Sequence, residues 1–170
     1  GGHGLEIVKR SGMVLGIDCD PEAIEYARAN SRWQMANGKF MLARGNFKDL
    51  KEIAVKNGFS KVSGILFDLG VSTHQLLEEE RGFSFQSDAV LDMRMDPELT
   101  VTALDLINGL NEGELNELFT KLGEEHNAWA IARALVRQRS LRPIKTGREL
   151  AEIVEKARGK RWDRGIRRER

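Results

Sequence analysis

The stretch from Gly64 to Asp96 reads GILFDLGVSTHQLLEEERGFSFQSDAVLDMRMD, and it carries most of the information about the fold. A short apolar run over residues 62–67 leads into it and stops on a single acid, Asp68. Gly70 then breaks the run, and the chain turns polar. An acid at the carboxyl end of a buried parallel strand lies where open α/β sheets bind their ligands. The stretch therefore predicts a buried strand over residues 62–67 and a ligand-binding carboxylate at Asp68.

Upstream of this stretch, strand and helix signals alternate. Residues 13–17 form an apolar run, and residues 39–43 form a second one. Between them Asp20-Pro21 predicts a helix start, because aspartate caps a first turn and proline fits the first helical position. A further helix is expected over residues 48–57. The order strand, helix, strand, helix, strand predicts parallel βαβ units with right-handed crossovers.

After about Val71 the strand signals cease and four amphipathic helices are predicted. The first spans residues 100–108, with Gly109 at its C′ position. The other three follow from i, i+3, i+4, i+7 apolar spacing, and two of them start at the capping pairs Asn111/Glu114 and Thr146/Glu149. Their predicted inner faces are Leu115, Leu118, Phe119 and Leu122, then Ala128, Ile131, Ala132, Leu135 and Val136, then Leu150, Ile153, Val154 and Ala157.

Composition argues against several classes of protein. Cys19 is the single cysteine, so no disulfide framework can form, which fits a reducing cytoplasm. No apolar run approaches the roughly 18 residues of a membrane span, and no charged-then-apolar leader is present. The three histidines and Cys19 lack the spacing of metal ligands, so no metal site is expected.

The net charge is only +1, but the basic residues are concentrated in the last forty residues. Arg133, Arg137, Arg139 and Arg142 form one group, and a second group runs from Lys156 to the end. That second group consists of Lys156, Arg158, Lys160, Arg161, Arg164, Arg167, Arg168 and Arg170. Such local excess suits contacts with nucleic-acid phosphates. A solvated helix face and a disordered tail explain the charge equally well.

Residues 80–85 (ERGFSF) and 91–96 (LDMRMD) have no helical or strand periodicity, and residues 68–72 (DLGVS) form a third distinctive segment before them. In these segments the chain resembles the bacterial MraW-type family, the S-adenosylmethionine-dependent methyltransferases that modify cytosine N4 in 16S ribosomal RNA. The resemblance covers roughly residues 1–158. It implies a class I methyltransferase fold, a Rossmann-like parallel α/β sheet that is incomplete here. The implied organisation is a partial cofactor-binding core (1–71), an inserted helical subdomain that binds the RNA substrate (72–158) and a basic tail (159–170).

The resemblance also implies a set of residues that contact S-adenosylmethionine. They are Gly1, Gly2, His3, Asp18, Phe47, Asp68 and Gln75. The residues alone leave alternatives open: the glycines could be a cloning remnant, Phe47 could be ordinary core, and Gln75 could be an unremarkable surface residue. Asp18 could merely cap the next helix, but Asp20 is better placed to do so, which favours a ligand role for Asp18.

The implied reaction is methylation of a cytosine in the decoding region of 16S ribosomal RNA in the small ribosomal subunit. Asp68 is the catalytic candidate, together with the turn at residues 70–72, because hydrogen bonds to the target amine would orient it. The RNA-binding candidates are Arg133, Arg137 and Arg142. Trp33, Trp129 and Trp162 are more typical of core or hinge positions, although Trp162 among arginines could stack on a base.

The chain departs from the family pattern in two places. Thr73-His74 stands where the family commonly has Ser-Pro, and after Ala157 the family continues through a His-Pro-Ala-Thr-Arg-Thr-Phe-Gln segment that is not present here. The family's first strand and its acidic turn would precede residue 1, so we expect residues 1–170 by themselves to bind cofactor weakly and to be inactive.

Two other classes of function share features with this chain. A nicotinamide-dependent oxidoreductase would need a G-x-G-x-x-G fingerprint, which residues 1–6 do not supply. A non-catalytic RNA-binding or ribosome-assembly fragment stays an alternative, because it would keep the basic helices without an intact cofactor loop.

Overall fold

A computed structural model describes residues 2–10, 12–30, 37–72, 75–76 and 78–159. The chain divides into two compact units. The first runs up to Gly70 and includes Met95–Pro97, and the second comprises Val71–Arg94 and the chain from Glu98 onward. The predictions for Gly1, Trp33, Thr73-His74, Trp162 and residues 160–170 lie outside the described residues. Within the described ranges, every helix is too short or too polar to cross a membrane.

The first unit is an incomplete Rossmann-like α/β fold. Its two strands are parallel, and their register places Val14 opposite Phe40 and Asp18 opposite Arg44. This confirms the predicted βαβ unit, with each strand shifted by one residue towards the carboxyl end. The elements are α1 (Gly2–Lys9), β1 (Val14–Asp18), α2 (Pro21–Asn30), β2 (Phe40–Arg44), a 3₁₀ turn (Phe47–Asp49) and α3 (Leu50–Lys56).

Local sequence explains where α1 and α2 lie. Asp20 is buried, and its Oδ1 accepts a hydrogen bond from the backbone N–H of Glu22 at 3.0 Å, so it caps the first turn of α2 as predicted. On α1, a Cβ at Gly4 would lie 2.9 Å from the ring of Phe40. Glycine at this position therefore lets α1 pack closely against β2, whose Phe40 is buried.

The predicted third strand is not formed. Residues 62–67 have no regular secondary structure, and the side chains of Val62, Ile65, Leu66 and Phe67 are exposed. A strand requires a neighbour that accepts and donates ladder hydrogen bonds, and a buried strand also requires cover on both faces. Within the described residues the sheet contains only β1 and β2, and none of them supplies this segment with a ladder. The apolar run at residues 62–67 is compatible with a strand, but a strand forms only where a neighbouring strand pairs with it.

The second unit is helical and contains the main core. Its helices are α4 (Ala103–Gly109), α5 (Glu112–Lys121), α6 (Ala128–Arg139) and α7 (Gly147–Arg158), which confirms the four predicted amphipathic helices. The buried cluster consists of Leu91, Ile107, Leu115, Ile131, Ala132, Leu135 and Ile144. The predicted inner face of α7 packs against this cluster while staying partly exposed.

Three details of these helices differ from the sequence prediction. Gly109 lies inside α4, whose C-cap is Leu110, so the predicted glycine cap is wrong. Leu122 is 79% exposed, because it comes after the last residue of α5 and does not belong to the inner face of that helix. Thr146 accepts the N–H of Glu149, but the Glu149 carboxylate accepts the N–H of Lys145 rather than that of Thr146, so only half of the predicted capping box forms.

Within the second unit, residues 80–85 and residues 91–94 are joined by hydrogen bonds. The backbone N–H of Met93 donates to the Arg81 carbonyl at 3.0 Å, and the Arg81 guanidinium donates to the Arg94 carbonyl at 2.9 Å. Met93 has a φ of 58°, a conformation that costs energy for a side chain other than glycine. The Arg94 guanidinium holds Asp92 at 2.7 and 2.8 Å, and this hydrogen bonding lowers the pKa of Asp92 below its ordinary value.

Candidate cofactor site and RNA-contact surface

The carboxyl ends of β1 and β2 bring two of the predicted site segments together. Asp18 ends β1 opposite Arg44, the last residue of β2. The backbone N–H of Gly45 then donates to the Asp18 carbonyl at 2.9 Å, so the ladder continues one step past β2. Asn46 accepts the N–H of Lys48 and starts the 3₁₀ turn that begins at Phe47. Parallel pairing therefore places Asp18 and the Phe47 turn at the same edge of the sheet, where open α/β sheets bind ligands.

One oxygen of the Asp18 carboxylate is engaged and the other is not. Asp18 Oδ1 accepts the backbone N–H of Asp20 at 2.9 Å, which fixes the orientation of the side chain. Among the described residues no hydrogen bond to Oδ2 is found, and the side chain is exposed. Because Asp20 itself caps α2, Asp18 is left with an oriented acceptor that can serve a ligand.

Phe47 contacts a second aromatic residue, Phe67, which was predicted to lie in a buried strand. The rings of Phe47 and Phe67 lie 6.1 Å apart at an interplanar angle of 81°, an edge-to-face arrangement. Both side chains are more than half exposed, so the alternative that Phe47 is ordinary core is wrong. The only signal for Phe67 in the sequence was its position directly before Asp68, in a segment expected to be buried strand.

His3 and Asp68 form the other contact among the predicted site residues. His3 Nδ1 lies 3.0 Å from Asp68 Oδ2, and in the tautomer with a proton on Nδ1 the imidazole donates to the carboxylate. His3 is the second residue of α1 and follows Gly2. A Cβ added at Gly2 would meet no atom within 4 Å. The two side chains are largely exposed. Within the first unit, strand pairing thus places Asp18 near the turn that begins at Phe47, and the ring of Phe47 contacts that of Phe67. Asp68 follows Phe67 in the chain and is hydrogen-bonded to His3.

The same edge of the sheet is acidic. Burial raises the pKa of the Cys19 thiol, and the nearby carboxylates of Asp18 and Asp96 raise it further. The thiol is therefore a poor nucleophile at neutral pH. No cluster of three or more potential metal ligands occurs in the described part of the chain.

Gln75 lies in the second unit, and the alternative that it is an unremarkable surface residue is wrong. It is 4% exposed, and its Oε1 accepts the backbone N–H of Ser72 at 2.9 Å. The backbone N–H of Gln75 donates to the Ser72 hydroxyl at 3.2 Å. Gln75 therefore holds the turn that follows Gly70, and the geometry within this unit gives it a structural role.

The arginines of the second unit differ in what they bind. The Arg139 guanidinium donates to the carbonyls of Ile107, at 2.6 Å, and Leu110, and so caps the carboxyl end of α4. Arg142 pairs with Glu149 at 3.2 Å. Arg133 and Arg137 are exposed on α6, and no ion pair to either is found among the described residues. Of the three RNA-binding candidates, Arg133 and Arg137 are thus available, whereas Arg142 is engaged.

Replacing Arg139 with methionine should destabilise the protein although this arginine belongs to a basic surface group. The change removes two charge-assisted hydrogen bonds to helix carbonyls, worth about 1.5–3 kcal/mol. Urea unfolding followed by circular dichroism measures the loss. Arg133→Met on the same helix is the matched control and should change the unfolding free energy by less than about 0.5 kcal/mol. Equal effects of the two substitutions would contradict the capping role.

Comparison with known proteins places the chain in a family. The sequence profile of the MraW methylase family matches residues 1–166. The chain belongs to this family. Ribosomal RNA small subunit methyltransferase H from Thermomicrobium roseum is 45% identical over 167 residues, which cover 96% of this chain and 51% of the relative. The protein of that name from Dehalococcoides mccartyi is 44% identical over 167 residues, 96% of this chain and 46% of its own length. That from Desulforapulum autotrophicum is 47% identical over 153 residues, with coverages of 90% and 48%.

The chain spans about half the length of these relatives. The MraW methylase match includes both structural units, since it starts in the first and extends beyond α7. It therefore confirms the resemblance that segments 68–72, 80–85 and 91–96 indicated.

Proposed function

We propose that this chain supplies part of an S-adenosylmethionine-dependent methyltransferase that modifies cytosine N4 in 16S ribosomal RNA of the small ribosomal subunit, in the cytoplasm. The observation that carries the proposal is the shared sheet edge, where Asp18 and the Phe47 turn are held together by parallel pairing. Family membership and the names of the relatives support the reaction class and the RNA substrate. In this proposal the first unit holds the cofactor and the second unit contacts the RNA.

The side chains at the sheet edge match the chemistry of S-adenosylmethionine. Its ribose hydroxyls need an acceptor, which the oriented Asp18 carboxylate provides. Its adenine ring needs an apolar border, which the exposed face of Phe47 provides. Gly2, with open space beside its backbone, and His3 lie at the start of α1, and the family resemblance adds Gly1 to them. Gln75, the remaining residue that the family resemblance implies, lies in the second unit, where it holds the turn at Ser72.

Catalysis in this proposal rests on placement. Bound S-adenosylmethionine supplies a methyl group already activated by its sulfonium. The protein must hold the target amine in line with that group and exclude water. We assign the orienting hydrogen bond to Asp68, whose carboxylate is itself held by His3 at 3.0 Å. The target base must leave its stack to reach such a site.

Arg133, Arg137 and Arg142 are the proposed RNA contacts of the second unit. Arg133 and Arg137 lie one turn apart on the exposed face of α6, so both guanidiniums can meet phosphates of one strand. Arg142 could do so only by leaving Glu149. A non-catalytic RNA-binding fragment would use the same arginines, so cofactor binding is the property that separates the two functions.

The decisive test is cofactor binding and its dependence on Asp18. Equilibrium dialysis with radiolabelled S-adenosylmethionine, extended to millimolar concentration so that weak binding is measured, should show saturable binding by the first unit's site. Asp18→Ala should weaken it by about 1.5–3 kcal/mol, roughly 10- to 150-fold, because a hydrogen bond to a charged acceptor is lost.

Asp49→Asn is the matched control for this test. Asp49 is an exposed carboxylate in the same unit, and its side chain makes no capping hydrogen bond, so its replacement should leave binding unchanged. Asp18→Asn keeps an oxygen for the N–H of Asp20 and separates loss of the ligand from loss of the local turn. Equal affinity of wild type and both Asp18 variants would remove Asp18 from the site. Equal binding of NAD would show that the site does not select S-adenosylmethionine, and the absence of saturable binding would favour the non-catalytic alternative.

A further inference from the structure

The exposed face of α6 carries an aromatic side chain in line with the two available arginines. Ala128, Ile131, Ala132 and Leu135 bury the inner face of this helix in the core. Trp129, Arg133 and Arg137 follow one another at every fourth residue on the outer side. Trp129 is 49% exposed, so of the two expected roles, core or hinge, the core one is wrong.

Helix geometry makes these three side chains a continuous stripe. Each step of four residues rises about 6 Å along the axis and turns only about 40° around it. Trp129 therefore lies at the amino-terminal end, and the two guanidiniums follow within about 12 Å along one side of the helix. We call this surface the α6 stripe.

The charges of the α6 stripe select its ligand. Within the described residues, Arg133 and Arg137 have no acidic partner, whereas Arg139, Arg142, Arg148 and Arg158 are all engaged by carbonyls or carboxylates. Two unpaired cations beside a half-exposed indole complement a ligand that has negative charge and flat apolar faces in alternation. Single-stranded nucleic acid has this chemistry, because each nucleotide offers one phosphate and one base.

We propose that the α6 stripe binds single-stranded RNA, with the Trp129 indole stacked on an unpaired base and Arg133 and Arg137 on the neighbouring phosphates. This inference rests on the proposed function, and it adds a preference that the arginines alone would not produce. Phosphate contacts are available on duplex and single strand alike, whereas the faces of bases can be stacked only where they are unpaired. The α6 stripe therefore selects unpaired segments of the RNA substrate.

Trp129 fluorescence tests this directly. In the full chain carrying Trp33→Phe and Trp162→Phe, Trp129 is the sole tryptophan. An unstructured 12-nucleotide RNA should quench its emission with saturation, and an RNA duplex of equal length should bind at least tenfold more weakly and quench little. Quenching of equal depth and affinity by both RNAs would overturn the proposed selectivity. Concentration-dependent quenching in the absence of RNA would show that a second copy of the chain covers the stripe, which also overturns the proposal.

Variants separate stacking from charge. Trp129→Leu should lower single-strand affinity about tenfold or more without changing the salt dependence, and Trp129→Phe should restore most of the affinity because it keeps an aromatic face. Arg133→Gln with Arg137→Gln should instead flatten the plot of log affinity against log salt by about 0.7 for each lost contact. Undiminished single-strand affinity in Trp129→Leu would overturn the inference while leaving the methyltransferase proposal intact. Failure of cofactor binding in the dialysis test would instead contradict the methyltransferase proposal and leave RNA binding by the α6 stripe intact, because the RNA titrations do not depend on the cofactor.

Discussion

Gly82→Ala is expected to destabilise the second unit by about 2–5 kcal/mol, through a left-handed backbone and a backbone clash together. Gly82 has a φ of 70°, which an alanine side chain disfavours. A Cβ there would overlap the carbonyl oxygen of Val90 and lie 2.8 Å from the backbone nitrogen of Asp92. Both neighbours are main-chain atoms, so no side-chain rotation can relieve the contact. Thermal and urea unfolding measure the loss, and the helical signal of the unit should fall at lower denaturant concentration.

Gly109→Ala is the matched control for that substitution. No atom lies within 4 Å of a Cβ at Gly109, and this residue ends α4 with an ordinary φ. Alanine should therefore be neutral or stabilise by up to about 1 kcal/mol through helix propensity. A Gly82→Ala variant as stable as Gly109→Ala would mean that Gly82 does not pack against the backbone of residues 90–92.

Leu135→Ala should cost about 2–5 kcal/mol of unfolding free energy, because the change opens a cavity in the core of the second unit. Leu135 is fully buried on the inner face of α6 and belongs to the main hydrophobic cluster. The midpoint of urea unfolding should fall while its slope stays the same, as expected when stability changes without a change in the surface exposed.

Trp129→Ala on the same helix is the control that makes this substitution informative. Trp129 lies outside the buried inner face and is half exposed, so its removal should alter the unfolding free energy by no more than about 1 kcal/mol. A large loss at Trp129 combined with a small one at Leu135 would mean that α6 is rotated, and the α6 stripe would then face the core. The pair therefore tests the helix orientation on which RNA recognition by Trp129 depends.

Local signals in the sequence predicted most of the helices and both paired strands. Asp20-Pro21 marked the start of α2, and Asn111 with Glu114 formed the expected capping box of α5. Alternating strands and helices predicted the parallel pair, which the register of β1 and β2 confirms. These features were readable because caps and amphipathic spacing act over three or four residues and need no distant partner.

The candidate site was readable only in part. Asp18 and Asp68 were identified from their positions after apolar runs, yet the contact between Asp68 and His3 joins residues 65 positions apart. The edge-to-face partner of Phe47 was invisible in the sequence, because Phe67 was assigned to a strand interior. Among the arginines, composition grouped four residues that the fold then separated into a helix cap, an ion pair and two exposed cations.

The sequence by itself determined the family, the βαβ start and the four amphipathic helices of this protein. Only the tertiary structure decided that residues 62–67 lie exposed without a ladder, that Gln75 is buried and that Trp129 is not. The physical reason is the range of the interactions. Helix caps and inner faces depend on neighbours within one or two turns, whereas strand pairing and the burial of a single side chain depend on residues that are distant in the chain and close only after folding.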